Sequence, residues 1–167
     1  MILKVSNWSC LVNKFQQDLR TGSIGEESVL QFLKVSKSTK NIMDVRYDKF
    51  FQELDVDFIQ ETHNNEFRKI EVKTDTMAHI TGNLAYEHTS NKYYNTIGCF
   101  EKTKADYIFY YLTENKNLYI LHTETLRSYI HTNKNRFREV NMGDNALGYL
   151  VKLEELVNNK IGWRINI

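Results

Sequence analysis

Apolar and polar positions along the chain alternate between helical and strand-like spacing, with no linker separating the stretches. The spacing predicts a short helix over residues 8–20, closed by "RTG", and a second helix from Ser23 to about Ser36. "NIMDVRYD" reads as a strand. "LDVDFIQE" and "FRKIEVKTD" have a period of two and are joined by the polar "THNNE", which predicts a hairpin. Residues 76–103 read as irregular, with one short strand near "NLAYEHT". "ADYIFYYLT" and "NLYILHT" form a further strand pair across "ENKN". The aromatic run in the first of these marks a central strand, since aromatics favour half-buried sheets. A helix "ETLRSYIHT", a basic strand-like piece "HTNKNRFR" and a helix around "YLVKLEELVNN" complete the order. Such an order predicts an α/β fold, a central mixed β-sheet flanked by helices, in a single domain spanning residues 1–167.

The totals limit the function classes. With 167 residues and 41% hydrophobic content the chain can bury a core. No apolar run is long enough to cross a bilayer, and "MILKVSNWSC" lacks a signal peptide's apolar stretch. A soluble, cytoplasmic protein with no membrane partner is the expectation. Cys10 and Cys99 form no CxxC pair, so plain thiols are expected in place of a structural zinc site. A net charge of +1 carries no overall basic signature, so any contact with nucleic acid must rest on a local patch. Between Glu53 and Asp75 seven acidic residues face three basic ones, whereas "HTNKNRFR" holds Lys134, Arg136 and Arg138 and no acid. An acidic centre beside basic flanks suits a metal-dependent enzyme acting on a polyanion.

Three stretches carry candidate chemistry. In "SIGEESVLQFL", Glu26, Val29, Leu30 and Leu33 lie at i, i+3, i+4 and i+7, which puts Glu26 on the apolar stripe of its helix. Ser23 and Glu26 also have the spacing of a capping box, the competing explanation. In "LDVDFIQ", Val56 and Phe58 share one face, Asp55 and Asp57 the other; a solvated edge is the plain alternative. In "RKIEVKTD", Ile70 and Val72 face one way, Glu71 and Lys73 the other. If the two strands pair, Asp57 lies across from Glu71. Two carboxylates so placed repel unless a divalent cation sits between them, and oxygen ligands favour magnesium or manganese. A nearby ammonium can then orient the attacking water.

In this order, "GSIGEESVLQFL", "DVDFI" and "IEVK" resemble the motifs of the PD-(D/E)XK nuclease superfamily, over roughly Gly22 to Leu153. The family's helix acid maps onto Glu26, its metal-binding aspartate onto Asp57, and its D/E-x-K element onto Glu71 and Lys73. Val56 replaces the usual proline, and Asp55 and Glu27 compete for the places of Asp57 and Glu26. The resemblance implies a restriction endonuclease-like core with the acidic cluster at one end of the sheet. It also implies Mg2+-dependent (or Mn2+-dependent) phosphodiester cleavage leaving a 5′-phosphate and a 3′-hydroxyl. Asp57, Glu71 and Glu26 would hold the metal together with the Val72 carbonyl, and Lys73 would position the nucleophilic water. DNA is the expected substrate, cut in a structure-selective or nonspecific way because a chain of this size has little room for a specificity domain, with RNA and an inactive DNA-binding or assembly module as alternatives. A homodimer is plausible because cutting two strands takes two active sites.

Downstream, "TGNLAYE" and "GCFEKTKADYIFYY" resemble small phage-type members, by which Asn83 and Glu87 would line the site, with a solvated strand position as the alternative for Glu87. Lys134, Arg136 and Arg138 alternate as on one face of a strand, a candidate phosphate-contacting ridge or else a solvated edge. Lys102 and Lys104 are weaker candidates of that kind. Tyr93 and Tyr94 are expected to pack back on the domain, with a substrate contact as the alternative. His79 and His88 lack zinc spacing and receive no role.

Overall fold

Where two helices are predicted, the chain forms one. In the computed structural model, which describes residues 6–143 and 145–167 and, before Thr21, the side chains of Gln16, Leu19 and Arg20 alone, α1 (Ser6–Val35) runs unbroken through "RTGSIG". An interior glycine costs a helix about 1 kcal/mol relative to alanine, and proline far more; the chain has no proline. Gly25 has a packing reason. It is buried against a strand, where an added Cβ would stand 2.0 Å from Thr74 Oγ1. Ser23 therefore sits exposed in mid-helix, and the capping-box explanation of Glu26 falls.

After α1 come β1 (Thr39–Asp44), α2 (Lys49–Glu53), β2 (Phe58–Thr62) and β3 (Phe67–Asp75). β2 and β3 make the predicted antiparallel hairpin, turning through Asn65 at φ 61°. The chain continues through α3 (Ala78–Thr81), β4 (Asn83–Asn91), β5 (Thr96–Ile97) and α4 (Cys99–Lys102) before returning as β6 (Tyr107–Leu112). β6 lies parallel to β3, so this long excursion serves as the crossover a parallel pair requires. Then follow β7 (Asn117–His122), α5 (Thr123–Asn133), a 3-10 turn (Lys134–Arg136), β8 (Arg138–Asn141), β9 (Leu147–Lys152), α6 (Leu153–Asn158) and β10 (Gly162–Asn166).

The strands form two sheets where one was expected. The larger is mixed, in the order β1-β2-β3-β6-β7-β10, with "YIFYYL" in the interior position predicted for it. The smaller is antiparallel, β5-β4-β9-β8, and recruits segments read as irregular or helical. "NLAYEHTSN" is a full nine-residue strand, and "YLVK" ends β9 ahead of α6. The fold is α/β.

Each face of the larger sheet carries its own core. On one face Val29, Leu30 and Leu33 of α1 pack on Phe58, Ile70, Val72, Phe109 and Leu118. On the other, Ile108, Tyr110 and Leu121 meet Leu126 and Ile130 of α5, Leu84 and Tyr86 of β4, and Val151 of β9. Each fully buried aliphatic or aromatic residue contributes about 1.5–3 kcal/mol relative to exposure. Of these covers, α1 is the one that packs directly on β3, through Ile70 and Val72. Among the described residues no helix is long and apolar enough to cross a membrane.

Candidate functional site

β2 begins too late to cover all of β3. Their pairing runs from Phe58↔Ile70 to Glu61↔Phe67, whereas β3 stays paired with β6 as far as Asp75↔Leu112. From Val72 onward one edge of β3 is therefore open. Asp57, immediately before β2, fits into the gap. Its backbone N–H donates to the Ile70 carbonyl at 2.8 Å, and its Oδ2 accepts the Val72 N–H at 2.7 Å. In an extended strand the N–H and C=O of one residue point to the same side, so the Val72 carbonyl is directed at this edge too.

A cavity of about 460 Å³ opens there, lined among others by Glu26, Asp57, Glu71, Val72, Lys73 and Thr74. The four sequence candidates thus come together from α1, the start of β2 and the middle of β3. Thr74 Oγ1, also on this wall, is buried with no hydrogen-bond partner among the described residues. Lys73 Nζ lies 2.5 Å from Glu71 Oε1, with Glu71 nearly buried and Lys73 27% exposed. Asp55 and Glu27, the competing acids, are not part of the lining. Asp55 adopts φ 50° and pairs with Lys102 at 3.1 Å, while Glu27 faces solvent beside Arg46.

The charges are unevenly compensated. Burial, then the Glu71 charge, pushes the Asp57 carboxyl up to about 8, against the pull of the Val72 N–H. Burial also raises Glu71, which Lys73 opposes. Lys73 is held above its ordinary value: burial works against the ammonium, and the Glu71 carboxylate outweighs it. Glu26 has a partner that sequence reasoning missed. Arg46 Nη1 reaches Glu26 Oε2 at 3.3 Å, and Nη2 holds Asp44 at 2.6 Å while the guanidinium lies 5.1 Å from the Phe58 ring centroid. The only signal for it is a cation in "DVRYD" just after a strand.

All of these donors are hard oxygens, the type that suits Mg2+ or Mn2+. As they stand, Glu71 and Glu26 turn toward cationic side chains. Among the described residues no three His, Cys, Asp or Glu side chains are gathered around one point that would hold an ion. Binding a cation there requires Glu71 to exchange part of its contact with Lys73.

Other candidates lie elsewhere. Asn83 starts β4 opposite Lys152 and is not in the cavity lining. Glu87 is not there either; its Oε1 accepts the Cys99 N–H at 3.2 Å, securing the start of α4. Lys102 is engaged by Asp55, and Lys104 is exposed. The basic ridge is not a strand face: Lys134 and Arg136 lie in the 3-10 turn and only Arg138 lies in β8. Arg136 bonds Glu155 at 3.2 Å and Asn133 at 3.1 Å, contacts a turn allows and a flat ridge does not. Tyr93 and Tyr94 do not pack back; they are 73% and 82% exposed at the β4–β5 tip. His79 is exposed, and His88 pairs with Glu139 at 3.1 Å. Burial pushes the Cys99 thiol up to about 11, as for an inert free cysteine; the Cys10 side chain lies outside the described residues.

Compared with protein-family models, curated proteins and solved structures, the chain matches none.

Proposed function

We propose that the chain is a magnesium-dependent endonuclease of the PD-(D/E)XK type that hydrolyses DNA phosphodiesters to a 5′-phosphate and a 3′-hydroxyl. The observation that carries this reading is the convergence of Asp57, Glu71, Lys73 and Glu26 on one cavity at the open edge of β3. Asp57 and Glu71 stand close together with little solvent around them, against burial and mutual repulsion that a cation between them would relieve. A mixed sheet with helical cover and its acidic cluster at one end is also what the resemblance implies. Asp57, Glu71 and the Val72 carbonyl would hold the cation, with Glu26 as a further or water-mediated ligand. Bound there, the cation would polarise the phosphate and acidify its bound water.

The chain's own groups do the rest. Lys73, freed in part from Glu71, presents its ammonium to the attacking water and to the charge that develops on the phosphate. Arg46 fixes Glu26 against the rim. Basic residues available for the strand are dispersed, so binding is expected to be weak, salt-sensitive and indifferent to sequence. Cutting both strands would take two such sites, hence two copies or two encounters.

One observation favours a second reading. The Lys73–Glu71 and Arg46–Glu26 pairs already satisfy much of the site, as in a binding module without activity. Incubation of circular plasmid with the protein and MgCl2 separates the two. Nicking that needs magnesium and disappears in Lys73→Ala supports the nuclease. Wild type inert on DNA and RNA with both Mg2+ and Mn2+, yet still shifting DNA in a gel, overturns it in favour of the module.

A further inference from the structure

α1 does not cover its whole face of the larger sheet. It ends at Val35, and the turn through Ser36 and Ser38 leads straight into β1. Beyond it lies a cavity of about 390 Å³, within the range of small-ligand pockets. Its floor is built from side chains on β2, β3, β6, β7 and β10. Gln60 of β2 lies directly opposite Arg68 of β3, followed by Tyr107 of β6 and, at the far side, Trp163 of β10. The cavity sits about four strand residues from Val72, roughly 13 Å along β3, and so is separate from the acidic site.

Its chemistry is specific. Tyr107 and Trp163 stand edge to face, ring centroids 6.3 Å apart at 74°, and Phe32 of α1 also lines the cavity. Together these give a slot for a flat ring. Gln60 is 4% exposed, unusual for an amide on the apolar face of a strand. Its Nε2 donates to Thr39 Oγ1 at 2.7 Å and lies 3.5 Å from Ser38 Oγ, which fixes the carboxamide plane. Among the described residues nothing donates to its Oε1, which is not fully buried and so remains free to accept a hydrogen bond from a molecule in the cavity. Arg68 places its guanidinium 5.7 Å from the Tyr107 ring centroid, at the partly exposed mouth. An aromatic slot, a fixed carboxamide and a guanidinium at the rim match a base, its hydrogen-bonding edge and its phosphate.

We propose that this cavity binds one nucleotide unit, the base between Phe32 and the Tyr107–Trp163 pair with its amino edge on Gln60, and the phosphate on Arg68. The unit comes either from a free mononucleotide or from a base turned out of a strand, and the test distinguishes the two. Trp163 is 45% exposed at the mouth and is one of two tryptophans, so a Trp8→Phe background isolates its fluorescence.

Titration of that protein with AMP, GMP, CMP and UMP is expected to give saturable quenching by at least one, and none with ribose 5-phosphate. Arg68→Gln should weaken binding about tenfold and Gln60→Leu more. Arg68 is a partly exposed side chain paired with Glu66 at 2.8 Å, so its variant keeps the test valid if Gln60→Leu fails to fold. Asp57→Asn should retain full quenching, so failure of the nuclease reading leaves this result intact. Competition between the best mononucleotide and a short single-stranded oligonucleotide then identifies the source. The proposal is overturned if no nucleotide or oligonucleotide quenches, if ribose 5-phosphate quenches as well as AMP, or if Arg68→Gln binds like the parent. Quenching by a long-chain fatty acid alone overturns it as well.

Discussion

Replacing Asp57 with Asn should make the protein more stable, and the gain should depend on pH. The carboxyl moves from an ordinary 3.8 to about 8 in the fold, chiefly through burial and secondly through Glu71. Between these values the folded chain holds a proton that the unfolded chain releases, so stability declines as pH rises from about 4 to about 8 and is flat above. About four pH units at about 1.36 kcal/mol each set a ceiling near 6 kcal/mol. Much of that is shared with Glu71, and asparagine still accepts the Val72 N–H but adds an amide that needs its own partner. The net gain expected is about 1–3 kcal/mol at pH 8.5, or about 3–10 °C in Tm for a chain of this size. Thermal melts by circular dichroism in EDTA should show that gap at about pH 8.5 and almost none at about pH 4. MgCl2 should narrow it by raising the wild type alone. A variant no more stable than wild type at the higher pH, or equally shifted at both, would refute the assignment of a buried, strained carboxylate.

Lys73→Ala should abolish magnesium-dependent cleavage, measured by plasmid nicking, while a melt shows a folded protein; loss of at least about a hundredfold is expected for an electrostatic group at the reacting phosphate. Glu71→Gln should eliminate the magnesium-induced rise in Tm, and isothermal titration should find no magnesium binding. In wild type, magnesium uptake near neutral pH should release close to one proton, seen as a buffer-dependent calorimetric heat, because the cation displaces the proton held on Asp57. Gly25→Ala should destabilise by about 1–3 kcal/mol in a urea titration, despite alanine's better helix propensity, since its Cβ would collide with Thr74.

Local patterning accounts for much of this architecture. The β2–β3 hairpin is legible because alternation and a polar turn agree, and Asp57, Glu71 and Lys73 follow from that register. The length of α1 is not legible. "RTGSIG" has the composition of a break, and only Thr74, some fifty residues downstream, explains why Gly25 belongs inside a helix. "YLVKLEELVNN" misleads for a related reason: helical periodicity hides a strand that forms because β4 is there to pair with it. The basic alternation at Lys134, Arg136 and Arg138 fits a strand by spacing alone, but the 3-10 turn directs these residues to different neighbours. Arg46 is invisible because Glu26, which it meets at the site, lies on a helix brought beside it only by folding, while its local partner Asp44 gives no hint of that. Gln60 draws no notice because the alternation that puts Val56 and Phe58 on the inner face carries this amide along with them, and a single polar residue there signals no chemistry by itself.

The early end of β2 has a consequence for the company this protein keeps. A stretch of strand with an unused edge is a template that a strand from another molecule can join. β3 is protected from that fate by Asp57, whose carboxylate occupies the Val72 N–H where an intruding carbonyl would dock, and by Lys73, a charge that an incoming strand would have to bury. The residues that make this place suitable for a cation therefore also keep the chain from sticking to its own copies. Substitution of Asp57 by alanine removes the guard as well as the ligand, and aggregation would accompany the loss of the site.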